Sequence, residues 1–174
     1  MDRNLYIFLD IDGVMATTSE ITVDIKEYNK ANIRKPYLEA PYKFNKDCVA
    51  ALNEIIDTVN PTIILTSSWR KYFDLDQMEQ IFADNGIKKF PEGSTHVKIP
   101  RDIDTEKGRV DEIVAYIRYC GIKNWVVIDN YNLKKYFKEK NHDRIIITDP
   151  DSGIAGKLVK ETVIKRLNRF YETN

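Results

Sequence analysis

The stretch Ile7-Phe8-Leu9-Asp10-Ile11-Asp12-Gly13-Val14 decides both how this chain folds and where its chemistry sits. Leu5 to Leu9 is a near-continuous apolar run, the pattern of a strand buried on both faces in a parallel sheet. It runs directly into two acids and a glycine. Side chains alternate along an extended chain, so Asp10 and Asp12 leave the strand end on the same side. Gly13 admits a positive φ or the close approach of a ligand to the backbone. Paired carboxylates at the end of a buried strand make a poor core and a good centre for metal-assisted chemistry. An Asx-type turn, which Asp and Gly also favour, is the competing reading.

Downstream, the stretch from Met15 to Phe44 breaks period and mixes charges with Tyr28, Tyr37, Tyr42, Pro36 and Pro41. We expect an irregular flap or small insert over about 15–44; a connection of about thirty residues is long for a passive linker in a compact domain. Helical periodicity returns at Asn45, with Val49, Leu52, Ile56 and Val59 on one face and Pro61 beyond the end. A strand, Thr62 to Leu65, then delivers Thr66-Ser67-Ser68-Trp69-Arg70. A second helix is expected from Asp74, with Gln77 in the capping-box position and Asn85-Gly86 as its stop.

Ile87 to Ile103 contains Pro91, Gly93 and Pro100 and offers one short candidate strand near Val97. A third helix is expected from about Thr105, burying Val110, Ile113, Val114 and Ile117, and Gly121 ends it. Trp125 to Ile128 is a strong strand closed by Asp129-Asn130, and Tyr131 to Lys140 is a short surface helix or a turn. Ile145 to Ile147 is another buried strand, and a last helix from about Ile154 closes the chain. Strands alternating with helices imply a central parallel sheet covered on both faces. Ligands then sit beyond the carboxyl ends of the strands, where Asp10, Asp12, Thr66 and Asp129 all fall.

The 174 residues suit one domain with a sizeable core, from 1 to 174, with at most a modest insert. Lys+Arg and Asp+Glu balance at 27 each, so global charge gives no reason to expect nucleic acid or an anionic membrane as partner. Two cysteines, Cys48 and Cys120, both in expected helices, argue against a disulfide framework and for a reducing, cytoplasmic setting. No apolar run approaches the roughly 20 residues that span a bilayer, and Asp2 and Arg3 do not open a secretory signal.

Carboxylates and a hydroxyl at three strand ends, with one basic residue, suggest phosphoryl transfer assisted by Mg²⁺, which relies on one or two carboxylates plus substrate phosphate. Asp10 and Asp129 are the natural pair of ligands. Asp10 suits nucleophilic attack on phosphorus, and Asp12 suits protonation of the leaving oxygen and activation of water. Lys107, in the first turn of a helix, opposes the dipole, so it has either a role at the site or a place in the solvated Glu106-Lys107-Gly108-Arg109 charge run. Thr66 can donate to a phosphoryl oxygen or serve as a turn former. Trp69 reads as packing, and Arg70 as a phosphate contact or a support for the site. His96 and His142 read as surface residues; Asp149 and Asp151 read as a turn, with a supporting role at the site as the alternative.

These residues resemble the motifs of the haloacid dehalogenase-like (HAD) superfamily, whose phosphatases use an aspartate nucleophile. The first motif corresponds to Asp10-Ile11-Asp12-Gly13-Val14, the second to Ile63-Ile64-Leu65-Thr66, the third to Lys107-Gly108 and the fourth to Val126-Val127-Ile128-Asp129-Asn130. More narrowly, Leu65-Thr66-Ser67-Ser68-Trp69-Arg70 and Thr148-Asp149-Pro150-Asp151-Ser152-Gly153 are similar to a small, nearly capless group that includes domains of RNA-repair proteins. The resemblance implies a Rossmann-like three-layer α/β sandwich with a minimal cap. It also implies a Mg²⁺ phosphatase with Asp10 as nucleophile, Asp12 as acid/base and carbonyl metal ligand, and Asp129 and Asn130 completing the metal set. Thr66, Ser67, Arg70, Lys107 and Arg109 are the implied substrate contacts. Arg109 competes with Lys107 for the third-motif cation, and Lys107 is preferred. Asn130 stands where the family often carries a second acid, so weaker Mg²⁺ affinity is expected.

An open site would admit a phosphate on a macromolecule, either a phosphoprotein or a nucleic-acid end. Tyr28, Tyr37 and Tyr42, interspersed with Lys26, Lys30, Arg34 and Lys35, suit either. Neutral charge tilts the expectation toward a phosphoprotein, phosphotyrosine above all, with a polynucleotide-end phosphatase, a phosphotransferase or a non-catalytic binding module as alternatives. No heptad or apolar stripe fixes an oligomeric state.

Overall fold

A computed structural model of the protein describes residues 4–18, 43–95 and 105–172. Among these residues five strands form one sheet in the order β3-β2-β1-β4-β5, every neighbouring pair parallel. They are β1 (Leu5–Leu9), β2 (Thr62–Leu65), β3 (Pro91–Ser94), β4 (Asn124–Asp129) and β5 (Ile145–Ile147). Four α-helices among the described residues accompany them: α1 (Lys46–Val59), α2 (Leu75–Asp84), α3 (Glu106–Cys120) and α4 (Val159–Glu172). The architecture is the Rossmann-like α/β class expected from the sequence.

Alternation along each strand divides the core into two layers. Ile7, Leu9, Ile63, Leu65, Val126 and Ile128 pack with α1, α2 and α4, through residues such as Leu52, Phe82 and Leu167. Phe8, Ile64, Trp125 and Val127 face the other way and pack with Val110 and Ile113 of α3 and with Leu133 and Phe137. Burial of both faces is why these strands read as continuous apolar runs.

The helix ends follow local chemistry. Asn45 caps α1 by accepting from the amides of Asp47 and Cys48. Asp74 and Gln77 form the anticipated capping box on α2. Thr105 caps α3, and Gly121, at φ 65°, ends it in the left-handed region.

The third described strand is Pro91–Ser94, and the candidate strand near Val97 lies outside the described residues; at a sheet edge the missing N–H of proline is tolerated. One expectation, the start of the last helix, needs correction. The last helix starts at Val159 rather than at about Ile154, because Leu158 takes a φ of 65° and interrupts the path from the 3-10 turn Gly153–Ala155. Tyr131 to Lys140 holds the 3-10 turn Leu133–Tyr136 and the start of a second, Glu139–Arg144. Of the expected flap over 15–44, residues 19–42 lie outside the described residues, as do Tyr28, Tyr37, Tyr42, Lys26, Lys30, Arg34, Lys35 and His96.

Candidate active site

In the order β3-β2-β1-β4-β5 the chain moves outward from β1 through β2 to β3, then returns to lay β4 on the other side of β1. The switch point therefore lies between β1 and β4, where open α/β sheets bind ligands. Side-chain parity does the rest. Phe8, Ile64 and Val127 face α3, and the same alternation, two residues further along each chain, turns Asp10, Thr66 and Asp129 to that face. The backbone stays paired at this level: the amide of Asp10 donates to Ile128 and that of Thr66 to Leu9.

Arg109, in the first turn of α3, meets them. Its Nη1 donates to Asp129 Oδ2 at 2.7 Å and to Asp10 Oδ2, and all three residues are buried. Burial pulls the Arg109 pKa down, but the charges of Asp10 and Asp129 outweigh it and hold the guanidinium firmly protonated. Its Cζ also lies 4.9 Å from the centroid of the Tyr131 ring. Burial, and then the charge of Asp10, push the Asp129 carboxyl above the usual range; Arg109 and the Tyr131 amide, which donates to Asp129 Oδ1, oppose the rise.

Lys107, preferred on sequence as the third-motif cation, is elsewhere. Its Nζ pairs with Asp111 at 2.7 Å on the exposed side of α3. The preference is reversed: Arg109 is the cation that the fold brings to the carboxylates. On a helix turning about 100° per residue, Arg109 lies only ~40° from the buried Ile113 and Lys107 lies ~120° away.

Asp12 follows in a turn closed by the amides of Val14, Met15 and Ala16, all donating to Ile11 O. Gly13 sits at φ 69° with the Asn130 side chain directly over it; a Cβ built at Gly13 would come within 2.6 Å of Asn130 Nδ2. Asn130 thus lies against the first-motif turn. Trp69 Nε1 donates to Asp12 Oδ1 at 3.0 Å, so the indole that read as packing also holds the candidate acid/base. Burial and the charge of Asp10 raise the Asp12 pKa; the Trp69 hydrogen bond and the Arg109 charge lower it, and the net shift is upward.

Two other expected substrate contacts have partners within the protein. Arg70 does not aim its guanidinium at the Asp10 cluster. Nη1 donates to Ser67 O at 2.7 Å and to Thr66 O, and Nη2 pairs with Glu112 on α3. Ser67 accepts from the Trp69 amide through Oγ, as the cap of a 3-10 turn, Ser68–Lys71. Both shape the loop that carries Thr66. Glu112, missed on sequence, also accepts from Thr95 Oγ1 at 3.0 Å and so ties α3 to the ends of β2 and β3. Its signal was an acid three residues beyond Arg109, between the apolar Val110 and Ile113.

The Thr148–Gly153 loop braces the first-motif turn. Thr148 Oγ1 donates to Gly13 O at 2.7 Å and the Ile154 amide to Val14 O. Asp149 accepts from the Asp151 amide within an ordinary turn, and the His142 ring is hydrogen-bonded to Phe137 O.

Two buried oxygens stand out. Asp10 Oδ1 and Thr66 Oγ1 have no hydrogen-bond partner among the described residues. An orphaned buried carboxylate oxygen is costly, and its chemistry suits a hard cation such as Mg²⁺. No group of three or more His, Cys, Asp or Glu side chains is arranged to hold a metal among the described residues. The donors present are one or two carboxylates and backbone carbonyls, a set that suits Mg²⁺ with water and phosphate.

Among the described residues no helix is long and apolar enough to cross a membrane. Comparison with curated proteins and with solved structures finds no match. A family model, the HAD domain in Swiss Army Knife RNA repair proteins, matches residues 6–159, from β1 to the start of α4. The motif order, the parallel sheet and the match over most of its length agree, and the chain belongs to this family of HAD domains.

Proposed function

We propose that the chain is a Mg²⁺-dependent phosphomonoester hydrolase that works through an aspartyl-phosphate on Asp10 and removes phosphate from polynucleotide ends. HAD membership supports phosphatase chemistry, and the family's description as a domain of RNA repair proteins supports a nucleic-acid end over a phosphoprotein. The observation that carries the reading is Asp10 itself, held at the switch point with one oxygen on Arg109 and the other buried without a partner among the described residues.

Asp10, Asp129 and the carbonyl of Asp12 would hold the cation, with Asn130 beside them. When bound, Mg²⁺ neutralises charge shared between carboxylate and phosphate. A carboxylate oxygen of Asp10 forms the bond to phosphorus as the ester P–O bond breaks. Asp12, its pKa raised, gives its proton to the leaving oxygen. It then takes a proton from the water that attacks phosphorus, which breaks the bond to Asp10 and frees inorganic phosphate. Arg109 offsets the carboxylate charge facing an incoming anion, and Thr66 Oγ1 is available to donate to a phosphoryl oxygen.

The test is a substrate panel assayed in Mg²⁺ and in EDTA: RNA and DNA oligonucleotides with 3′- or 5′-phosphates, phosphotyrosine and phosphoserine peptides, and an aryl phosphate. We expect Mg²⁺-dependent turnover with a polynucleotide end preferred, and a loss of at least about 10³ in kcat for Asp10→Asn. Full activity in Asp10→Asn would remove the nucleophile assignment. A preference for phosphopeptides would remove the substrate assignment.

A further inference from the structure

The protein carries no net charge, yet one face does. Along α3, from Val110 beside Arg109 to Arg118, runs a cleft of about 560 Å³, closed on the far side by the segment 136–144. Arg118, Lys123, Lys138, Lys140 and Arg144 line it, against the single acid Asp111, and that acid is paired with Lys107. None of the five cations forms an ion pair with a described acid. Several surface cations elsewhere are paired, Lys88 with Asp57, Lys160 with Glu54 and Arg169 with Asp143; what sets the cleft apart is that five cations share one concave wall. Clustered, unneutralised cations in a concave wall attract a polyanion and focus its field.

The chain between the active site and this cleft is aromatic. β4 ends at Asp129, and two residues later comes Tyr131, 37 % exposed, against Arg109. The 3-10 turn that follows ends at Tyr136, which is 44 % exposed, lines the cleft and has Lys135 Nζ 5.1 Å from its ring centroid. Exposed rings alternating with cations are how single-stranded nucleic acid is held without sequence readout: bases stack on rings and phosphates meet the charges.

Resting on the polynucleotide reading above, we propose that the α3 cleft and the Tyr131–Tyr136 segment form a track for single-stranded RNA. The track leads from Lys123 and Arg144 toward Asp10 and presents the phosphorylated end there. An acidic peptide would be drawn by the same charge but gains nothing from two exposed rings in line with the site.

The experiment separates the track from the reaction. Binding of an unphosphorylated, labelled 12-nucleotide RNA to the Asp10→Asn protein is measured over a range of salt, with and without the four changes Arg118→Ala, Lys123→Ala, Lys138→Ala and Lys140→Ala. These side chains are exposed, and thermal melting checks folding; Lys88→Ala with Lys160→Ala is the control on paired cations. A second variant, Tyr136→Ala, tests stacking. We expect the four changes to weaken RNA at least about tenfold and flatten its salt dependence, each lost phosphate contact removing about 0.7 from the slope. The control should change binding less than twofold, and Tyr136→Ala should weaken RNA while leaving the salt slope in place. RNA binding unchanged in the fourfold variant overturns the track, whether or not the wild type hydrolyses RNA ends. Cleft-dependent RNA binding by a protein that fails on every RNA end supports the track and overturns the phosphatase substrate. Binding of a polyglutamate peptide as tight as that of RNA, with the same loss in the fourfold variant, also overturns it.

Discussion

Trp69 shows how little separates packing from chemistry at the scale of one residue. Its ring is buried against Phe44 and Phe73, and its N–H reaches Asp12. That bond favours the ionised carboxylate, against burial and the charge of Asp10, which favour the protonated one. Trp69→Phe keeps most of the ring and loses the donor, so the Asp12 pKa should rise further. As a general acid Asp12 works protonated, so the alkaline limb of kcat/KM should move to higher pH; a limb that stays in place or moves down would dissociate Asp12 from it. Glu112 is the other residue whose worth lies in a partner. Removing it by Glu112→Ala leaves the Arg70 guanidinium in a buried site without its carboxylate, a change that typically costs about 3–5 kcal/mol. Chemical denaturation should show a loss of that order, with Glu112→Gln milder because the amide oxygen can still accept from Thr95. Neither role was legible in the sequence. An indole N–H and a helical glutamate acquire them only when the Thr66 loop and α3 are brought together.

At the scale of elements, the strands with apolar runs declared themselves, β5 at one edge included, and β3 at the other edge did not. β1, β2 and β4 are buried on both faces, so their apolar runs carry the signal; Pro91-Glu92-Gly93-Ser94 is a strand through backbone pairing to β2, which leaves little trace in side chains. The choice between Lys107 and Arg109 failed for a related reason. The apolar stripe Val110, Ile113, Val114 and Ile117 is centred between the two, and the face actually buried is rotated toward Glu112, a polar residue that a hydrophobic pattern cannot count. Loop contacts were also hidden. Gly153 takes φ 56° where its loop braces the first-motif turn, and a Cβ there would stand 2.2 Å from Val14 O and 2.8 Å from Cys48 Sγ. Gly86 has φ 77° but nothing within 4 Å. Gly86→Ala should therefore cost only the left-handed strain of about 1–2 kcal/mol. Gly153→Ala should cost more, and should also lower turnover by displacing the turn that presents Asp12. Equal stability losses, read from denaturation midpoints, would mean that the brace yields freely.

At the scale of the molecule, three strand ends and one helix meet at a buried charge cluster, and the layers depend on its balance. Arg109 ties α3 to β1 and β4 through Asp10 and Asp129, so its removal is a change in the whole fold's electrostatics. In Arg109→Gln the two carboxylates face one another without a cation, and Asp129, already raised by burial and Asp10, loses the charge that restrained it. A carboxyl whose folded pKa lies above its unfolded value of 3.8 contributes stability that is full below that value. The contribution fades as pH rises through the folded pKa, because the folded state then holds the proton that the unfolded state has lost. The variant should therefore lose melting temperature relative to the parent as pH rises from about 4 toward neutrality. Mg²⁺ bound by the folded state alone should recover part of that loss, by an amount that grows with its concentration. Thermal melts of both proteins across this range, in EDTA and in millimolar Mg²⁺, read the effect directly. Parallel pH profiles, with Mg²⁺ shifting neither protein, would show that the cluster is not a cation site and that Arg109 does not balance its charge.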